Sequence, residues 1–184
     1  MIKNIAIVSL SSGTLGEDFA KHEVNIGVKR LKDFGMNVTF MPHALKGIEY
    51  VKNHPAERAA DLLQALKEPD IDMILCAIGG DDTYRLLPYL FEQNELAEAV
   101  SDKIFLGFSD TTINHFMLHK VGMKTFYGQS FLADICELDK TMLPYTQKYF
   151  EELVNTGMIE EVRPSDVWYE GRTDFDIAQI DTPL

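Results

Sequence analysis

Three apolar runs constrain this chain more than any other feature. They are "IAIVSLSS" at 5–12, "IDMILCAIGG" at 71–80 and "KIFLGFSD" at 103–110. Each has the length of a strand, is rich in branched or aromatic residues, and ends in small polar residues or glycine. Runs without polar alternation predict strands covered on both faces, as in a parallel sheet with helices on either side. The stretches between them carry helical spacing. Phe19, Val24, Val28, Leu31 and Phe34 recur at helical intervals over 17–34, and Gly35 stops that helix. "PAERAADLLQALK" at 55–67 opens on a proline and sets Leu62, Leu63 and Leu66 on one face. Further helices are predicted over 82–91, 111–121 and 141–154, and further strands over "NVTFMPH" (37–43) and "KTFYGQS" (124–130).

Strands alternating with helices imply right-handed crossovers. The expected fold is α/β: a doubly wound, mostly parallel sheet of about five strands, flavodoxin-like. It should occupy residues 1–155. Residues 156–184 break the rhythm, being acidic, rich in turn formers and without a clear period. They are expected to form a loop or linker towards a C-terminal domain not present in this chain.

Composition narrows the function classes. With 17 bases against 29 acids the net charge is −12, which argues against a nucleic-acid partner. Lys29, Arg30 and Lys32 form one local basic group, placed where cations complement a helix C-terminus. No apolar run reaches the ~18 residues that cross a bilayer, and no cleavage pattern follows the first strand. The expectation is a cytoplasmic protein without a membrane partner. Cys76 and Cys136 sit in apolar contexts and read as buried thiols. No histidine pair has metal-ligand spacing with a third donor; neither a metal nor a cofactor is expected.

In an open parallel sheet, ligands bind at the carboxyl ends of the strands. Those ends offer Ser11 and Ser12, then Gly79, Gly80, Asp81 and Asp82, then Gly107, Phe108, Ser109 and Asp110. Two glycines at a strand-to-helix turn let a ligand approach backbone N–H groups. The carboxylates that follow would repel a standing phosphate, and the lysine of a phosphate-binding loop is missing. A transient oxyanion suits this turn better. Ser109 lies two residues after a glycine at a strand–turn–helix junction, the first half of a nucleophile elbow, with Thr111 where a second glycine would stand. The same serine also reads as a helix cap. None of His22, His43, His54, His115 and His119 completes a triad. His115 is already roughly 9 Å along the following helix. From the residues alone, nucleophile, cap and ligand-binding turn stay open.

"AIGGDDTYRLLPYL", "FLGFSDTT" and "FYGQS", in this order and spacing, resemble the LD-carboxypeptidase family of serine peptidases. The likeness is nearest to its microcin C self-immunity branch, which "PSDVWYEGRTDF" at 164–175 also resembles. The resemblance implies an N-terminal α/β domain followed by a smaller β-rich one. It implies Ser109 as nucleophile, with an oxyanion hole from the N–H groups of Gly79 or Gly80 and of Asp110. The family's Glu and His come from the second domain, so a Ser–His–Glu hydrolase would be inactive, or nearly so, as this chain alone. Ser12, Asp81 and Trp168 are the candidates for substrate contacts, Trp168 by stacking on a nucleobase. The implied substrate is a small peptide, or a peptidyl- or aminoacyl-nucleotide conjugate, cut at a terminal amide-like bond. A murein tetrapeptide is the alternative substrate, and a non-catalytic ligand-binding α/β domain the alternative function. A homodimer is expected because "FYGQSFLADICELDKTMLPYTQKYF" is apolar for one surface segment.

Overall fold

The computed structural model describes residues 2–184. Its strands are β1 (Asn4–Val8), β2 (Asn37–Phe40), β3 (Met73–Cys76), β4 (Ile104–Gly107) and β5 (Phe126–Tyr127). They form one sheet in the order β2-β1-β3-β4-β5, and every pairing is parallel. This is the flavodoxin-like order, parallel throughout rather than mostly. The helices are α1 (Lys21–Asp33), α2 (Ile48–Asn53), α3 (Pro55–Lys67), α4 (Leu87–Phe91), α5 (Glu95–Ala99), α6 (Thr112–Lys120) and α7 (Pro144–Thr156).

Successive strand residues point to opposite faces, and both faces are filled. Ala6, Val8, Ile74, Cys76 and Phe105 join a core with residues of α3, α4, α5 and α6. Ile5, Ile7, Met73, Leu75, Ile104 and Leu106 join the other with α1, α7 and a π-helical turn at Phe131–Ile135. Each buried side chain of this size contributes ~1.5–3 kcal/mol. Emptying one position, as in Phe105→Ala, would cost ~3–5 kcal/mol. Gly35 (φ +81°) and Gly157 (φ +75°) end α1 and α7 in left-handed turns. Pro55 and Pro144 open α3 and α7, where a missing N–H is harmless.

The strands are shorter than the apolar runs that predict them. Residues 9–12, 77–80 and 108–110 leave the sheet and turn towards one another. The hydroxyl of Ser9 donates to Ala44 O, and the N–H of Ser12 to Gly79 O. The helix predicted over 17–34 starts at Lys21, after two 3-10 turns at Thr14–Gly16 and Asp18–Ala20. Phe19 is 62% exposed and lies off the buried face. Glu17 instead accepts the Ile48 N–H at 2.7 Å and tethers the loop before α2. The stretch 82–91 likewise begins as a 3-10 turn, Thr83–Leu86. Two short helices and the π-helical turn were not foreseen: α2 has 6 residues, α5 has 5, and the turn has 5. At that length no period shows in the sequence.

Two expectations about the surface change. The apolar segment 126–150 fills the chain's own core with Phe131, Leu132, Ile135, Cys136 and Phe150, so its composition gives no ground for a homodimer. Arg30 does more than complement a helix end: it donates to the carbonyls of Ile135, Glu137 and Asp139, and so closes the π-helical turn against α1. Cys76 and Cys136 are buried and free, and burial pushes the Cys76 thiol up to about 12. Residues 157–184 carry one 3-10 turn, Ile177–Gln179. Arg172 ties them down through Glu137 at 2.6 Å, as does the Asp181 N–H through Leu138 O. Among the described residues no helix is long and apolar enough to cross a membrane.

Candidate active site

The carboxyl ends of β1, β3 and β4 lie side by side, and the β1/β3 junction is where the strand order reverses. Ser109 stands just past β4 with φ +63°. A left-handed backbone costs a residue with a Cβ ~1–2 kcal/mol, so something must hold it there. Its N–H donates to the Tyr127 hydroxyl at 3.2 Å, and its carbonyl accepts the Thr112 hydroxyl at 2.5 Å. These bonds brace the turn from β5 and from α6. The Tyr127 phenol lies below its ordinary pKa because it is hydrogen-bonded by Thr112 and by the Ser109 N–H. The Ser109 side chain is exposed and, among the described residues, its hydroxyl makes no hydrogen bond, so it does not cap its own helix.

Gly79 lies directly against Ser109. A Cβ on residue 79 would come within 2.8 Å of both Ser109 Cβ and Ser109 Oγ, and 3.4 Å from the Asp110 nitrogen. A Cβ on Gly80 would run into the Ser11 hydroxyl. Both glycines are therefore required by close approach. Among the described residues, the N–H groups of Gly80 and Asp110 make no hydrogen bond. Two free amide donors thus follow directly on Ser109 and on Gly79, the glycine packed against it.

A polar network fixes these pieces. The Asp110 carboxylate accepts a short hydrogen bond from the Ser11 hydroxyl and the Thr83 N–H at 2.9 Å. Both bonds fall on its Oδ2 and tie residue 110 to the end of β1 and to the Thr83 turn. The Thr83 hydroxyl lies 2.9 Å from Leu10 O and from Asn114 Oδ1. Arg58, only 1% exposed, donates to the carbonyls of Leu10 and Ser11 and pairs with Asp82 at 2.7 Å. Burial alone would raise the Asp82 carboxyl, but Arg58 and Arg85 outweigh it and hold it below its ordinary value.

The predicted site residues separate into three groups. Ser12, Gly79, Gly80, Ser109 and Asp110 come together: the N–H of Ser12 donates to Gly79 O at 3.2 Å, and its hydroxyl lies 2.8 Å from that of Thr14. Asp81 is exposed next to them and Asp82 is locked in its ion pairs. Trp168 is 81% exposed on the 157–176 segment and takes no part in the network. Sequence reasoning named Ser11 only as a strand-end residue, not as the partner of Asp110, and missed Arg58, Thr83, Asn114 and Tyr127. Only Tyr127 carried a signal, an aromatic residue before a glycine at a strand end.

Four of the five histidines are engaged elsewhere, and His119 is exposed in the last turn of α6. His115 is buried, with its ring nitrogens 2.8 Å from the Thr125 hydroxyl and 3.0 Å from Gly107 O, and burial pushes it below its ordinary pKa. His43 is bound to Asp61 at 2.8 Å and His54 to Tyr50 O at 2.7 Å. His22 contacts Phe175 O at 3.0 Å. Among the described residues, no histidine bonds to Ser109, and no group of three His, Cys, Asp or Glu could hold a metal.

Comparison with known proteins gives a consistent picture. The family described as LD-carboxypeptidase N-terminal domain matches residues 5–128. The microcin C7 self-immunity protein MccF of Escherichia coli is 37% identical over 133 residues, covering 61% of this chain and 38% of that protein. The crystal structure of an MccF-like protein from Streptococcus pneumoniae in complex with AMP is 66% identical. It matches with a TM-score of 0.99 over 100% of this chain and 53% of its own. An MccF-like protein from Bacillus anthracis is 30% identical, with a TM-score of 0.69 over 83% of this chain and 44% of its own. The chain spans about half or less of the length of the relatives it matches, from 38% of the Escherichia coli protein to 53% of the pneumococcal one.

Proposed function

The chain belongs to the LD-carboxypeptidase family, and on that premise we propose that it is the nucleophile-bearing part of a serine hydrolase. The observation that carries this reading is Ser109: exposed, left-handed at φ +63°, and packed on Gly79 beside two unbonded amides. Ser109 Oγ attacks a carbonyl carbon, and the carbonyl oxygen gains the negative charge of a tetrahedral intermediate. The N–H groups of Asp110 and of Gly79 or Gly80 receive that charge, each donor lowering the barrier by ~3 kcal/mol. Collapse expels the leaving group and leaves an acyl-serine, which water then cleaves. The proton on Ser109 needs a base, and His115 is excluded by its own bonds. In this proposal the His and Glu come from a segment outside residues 1–184.

The substrate we propose is an aminoacyl- or peptidyl-nucleotide conjugate. Two observations support it: the pneumococcal relative is in complex with AMP, and Trp168 leaves an aromatic face bare to solvent. A stacked base is worth ~1–3 kcal/mol. Ser12 and Asp81 flank the same strand ends and are proposed as polar contacts to the substrate.

Two measurements test this. Residues 1–184 alone should react with a fluorophosphonate probe slowly or not at all; rapid labelling of Ser109 would mean that the base lies within the chain. Followed by a C-terminal domain of the family, the protein should hydrolyse an aminoacyl-sulfamoyl adenosine, and Ser109→Ala should lower kcat by ~10³–10⁶. Undiminished turnover by Ser109→Ala overturns the reading. Trp168→Ala should weaken hydrolysis of that conjugate and spare a murein tetrapeptide; equal loss on both removes the nucleotide assignment.

A further inference from the structure

A cavity of about 450 Å³ opens between β5, α7 and the segment around Ile159 and Val162. Its walls are aromatic: Phe126, Tyr127, Tyr145 and Tyr149, joined by Gln129 and Asp134. Tyr145 and Tyr149 pack edge to face, with ring centroids 4.9 Å apart. Their hydroxyls are already taken, one donating to Arg163 O at 2.6 Å and the other accepting the Arg163 N–H at 2.8 Å. They therefore present rings, not hydroxyls, to an occupant. Asp134 is the single charged residue in the wall; no Lys, Arg or His lines the cavity among the described residues. One of its oxygens accepts the Ser130 N–H at 2.8 Å, and the other accepts no hydrogen bond among the described residues. Burial without a counter-charge pushes this carboxyl up to about 6.

An uncompensated carboxylate walled by aromatic rings is the chemistry that takes a protonated amine. The ring faces attract the cation, and the carboxylate neutralises it. Tyr149 already shows this affinity: Lys148 Nζ sits 4.8 Å from its ring centroid, and Lys148 is not part of the cavity wall. The cavity is also coupled to the reacting corner, because Tyr127 is both its wall and the acceptor of the Ser109 N–H. The π-helical turn that carries Asp134 is pinned beside the paired glycines, with the Leu132 N–H donating to Ala77 O at 2.8 Å. Turns of this kind recur at functional sites.

We propose that this cavity is an amine subsite, which takes the ammonium-bearing acyl part of the substrate beside Ser109. The identity of the occupant as the acyl part rests on the hydrolase reading above; the amine preference of the cavity does not. Asp134 is its ion-pairing group, and Tyr127, Tyr145 and Tyr149 form its aromatic walls. An acyl group whose amine is blocked, for instance by acetylation, would lose that contact.

The test is an amide-resonance titration of the 184-residue chain at pH 7.5 with 2-phenylethylamine and with its N-acetyl derivative. The amine should shift resonances within 128–134 and 145–149, and the acetylated compound should bind at least tenfold more weakly. Asp134→Asn should weaken the amine at least tenfold, while Ser109→Ala should leave it within twofold. Equal binding of both compounds, shifts confined to other regions, or no binding would overturn the proposal. The two-compound comparison on the unsubstituted chain decides the matter even if Asp134→Asn fails to fold. Because no turnover is read, the subsite can fail while Ser109 still proves to be the nucleophile, and the reverse.

Discussion

The packing of Gly79 on Ser109 can be tested without any substrate, by a double-mutant cycle on stability. Gly79→Ala places a methyl carbon 2.8 Å from Ser109 Cβ and Oγ, about 0.7 Å inside the ~3.5 Å at which such atoms rest. Neither side yields freely. Residue 109 is tied at its N–H to Tyr127 and at its carbonyl to Thr112, and the Gly79 carbonyl is bonded to Ser12. Overpacking of this kind costs ~1–3 kcal/mol. Ser109→Gly acts oppositely. It relieves the ~1–2 kcal/mol of left-handed strain and loses ~0.5–1 kcal/mol to the freer unfolded chain, so its effect should lie between neutral and a stabilisation of ~1.5 kcal/mol. In the double variant both clashing atoms are gone, and the nearest neighbour of the new methyl is the Asp110 nitrogen at 3.4 Å. The cost of Gly79→Ala should then shrink by ~1–2 kcal/mol. Urea unfolding of the four proteins, followed by circular dichroism, measures that coupling. If the two effects add within ~0.5 kcal/mol, the side chain of Ser109 does not rest on Gly79, and the geometry behind the proposed reaction is wrong.

Arg58→Ala should destabilise by ~2–4 kcal/mol, because it empties a buried volume, removes the buried one of Asp82's two arginine partners and leaves the Ser11 carbonyl unmet; a loss under ~1 kcal/mol in the same unfolding assay would refute that. Asp134 has a folded pKa of about 6 against an ordinary 3.8. The native state thus holds its proton longer, and this group's contribution falls as pH rises from about 4 to 6. The stability of Asp134→Asn relative to the parent should therefore grow across that window, by ~3 kcal/mol at most; a pH-independent difference would contradict the assignment. His115 is shifted the other way, below 6.5, so the unfolded chain takes that proton first and acidification weakens the fold. Imidazole resonances should show His115 titrating below 6.5; a midpoint at or above it would count against its burial.

What the sequence reveals is local, and what it hides is contact between distant segments. The apolar runs announce β1, β3 and β4 because burial on both faces leaves no polar alternation to confuse the reading. Gly79, Gly80 and Ser109 stand out because glycine pairs and G-x-S turns have few structural uses. Ser11 gives no such sign: its partner Asp110 is 99 residues away. Arg58 looks like an ordinary surface cation of an amphipathic helix, yet it reaches Asp82 24 residues on and is buried. The π-helical turn is too short for periodicity, and its residues read from sequence as an apolar surface.

The left-handed bend at residue 109 is braced from β5 by Tyr127 and carries Asp110, which Ser11 grips from beyond β1. No stretch of chain emerging from the ribosome holds those pieces by itself. A nascent or half-melted copy therefore carries at 109 a relaxed, commonplace serine. Completion of the sheet is what sets its bend, so a damaged molecule loses its shape and the exposed left-handed serine at the same moment.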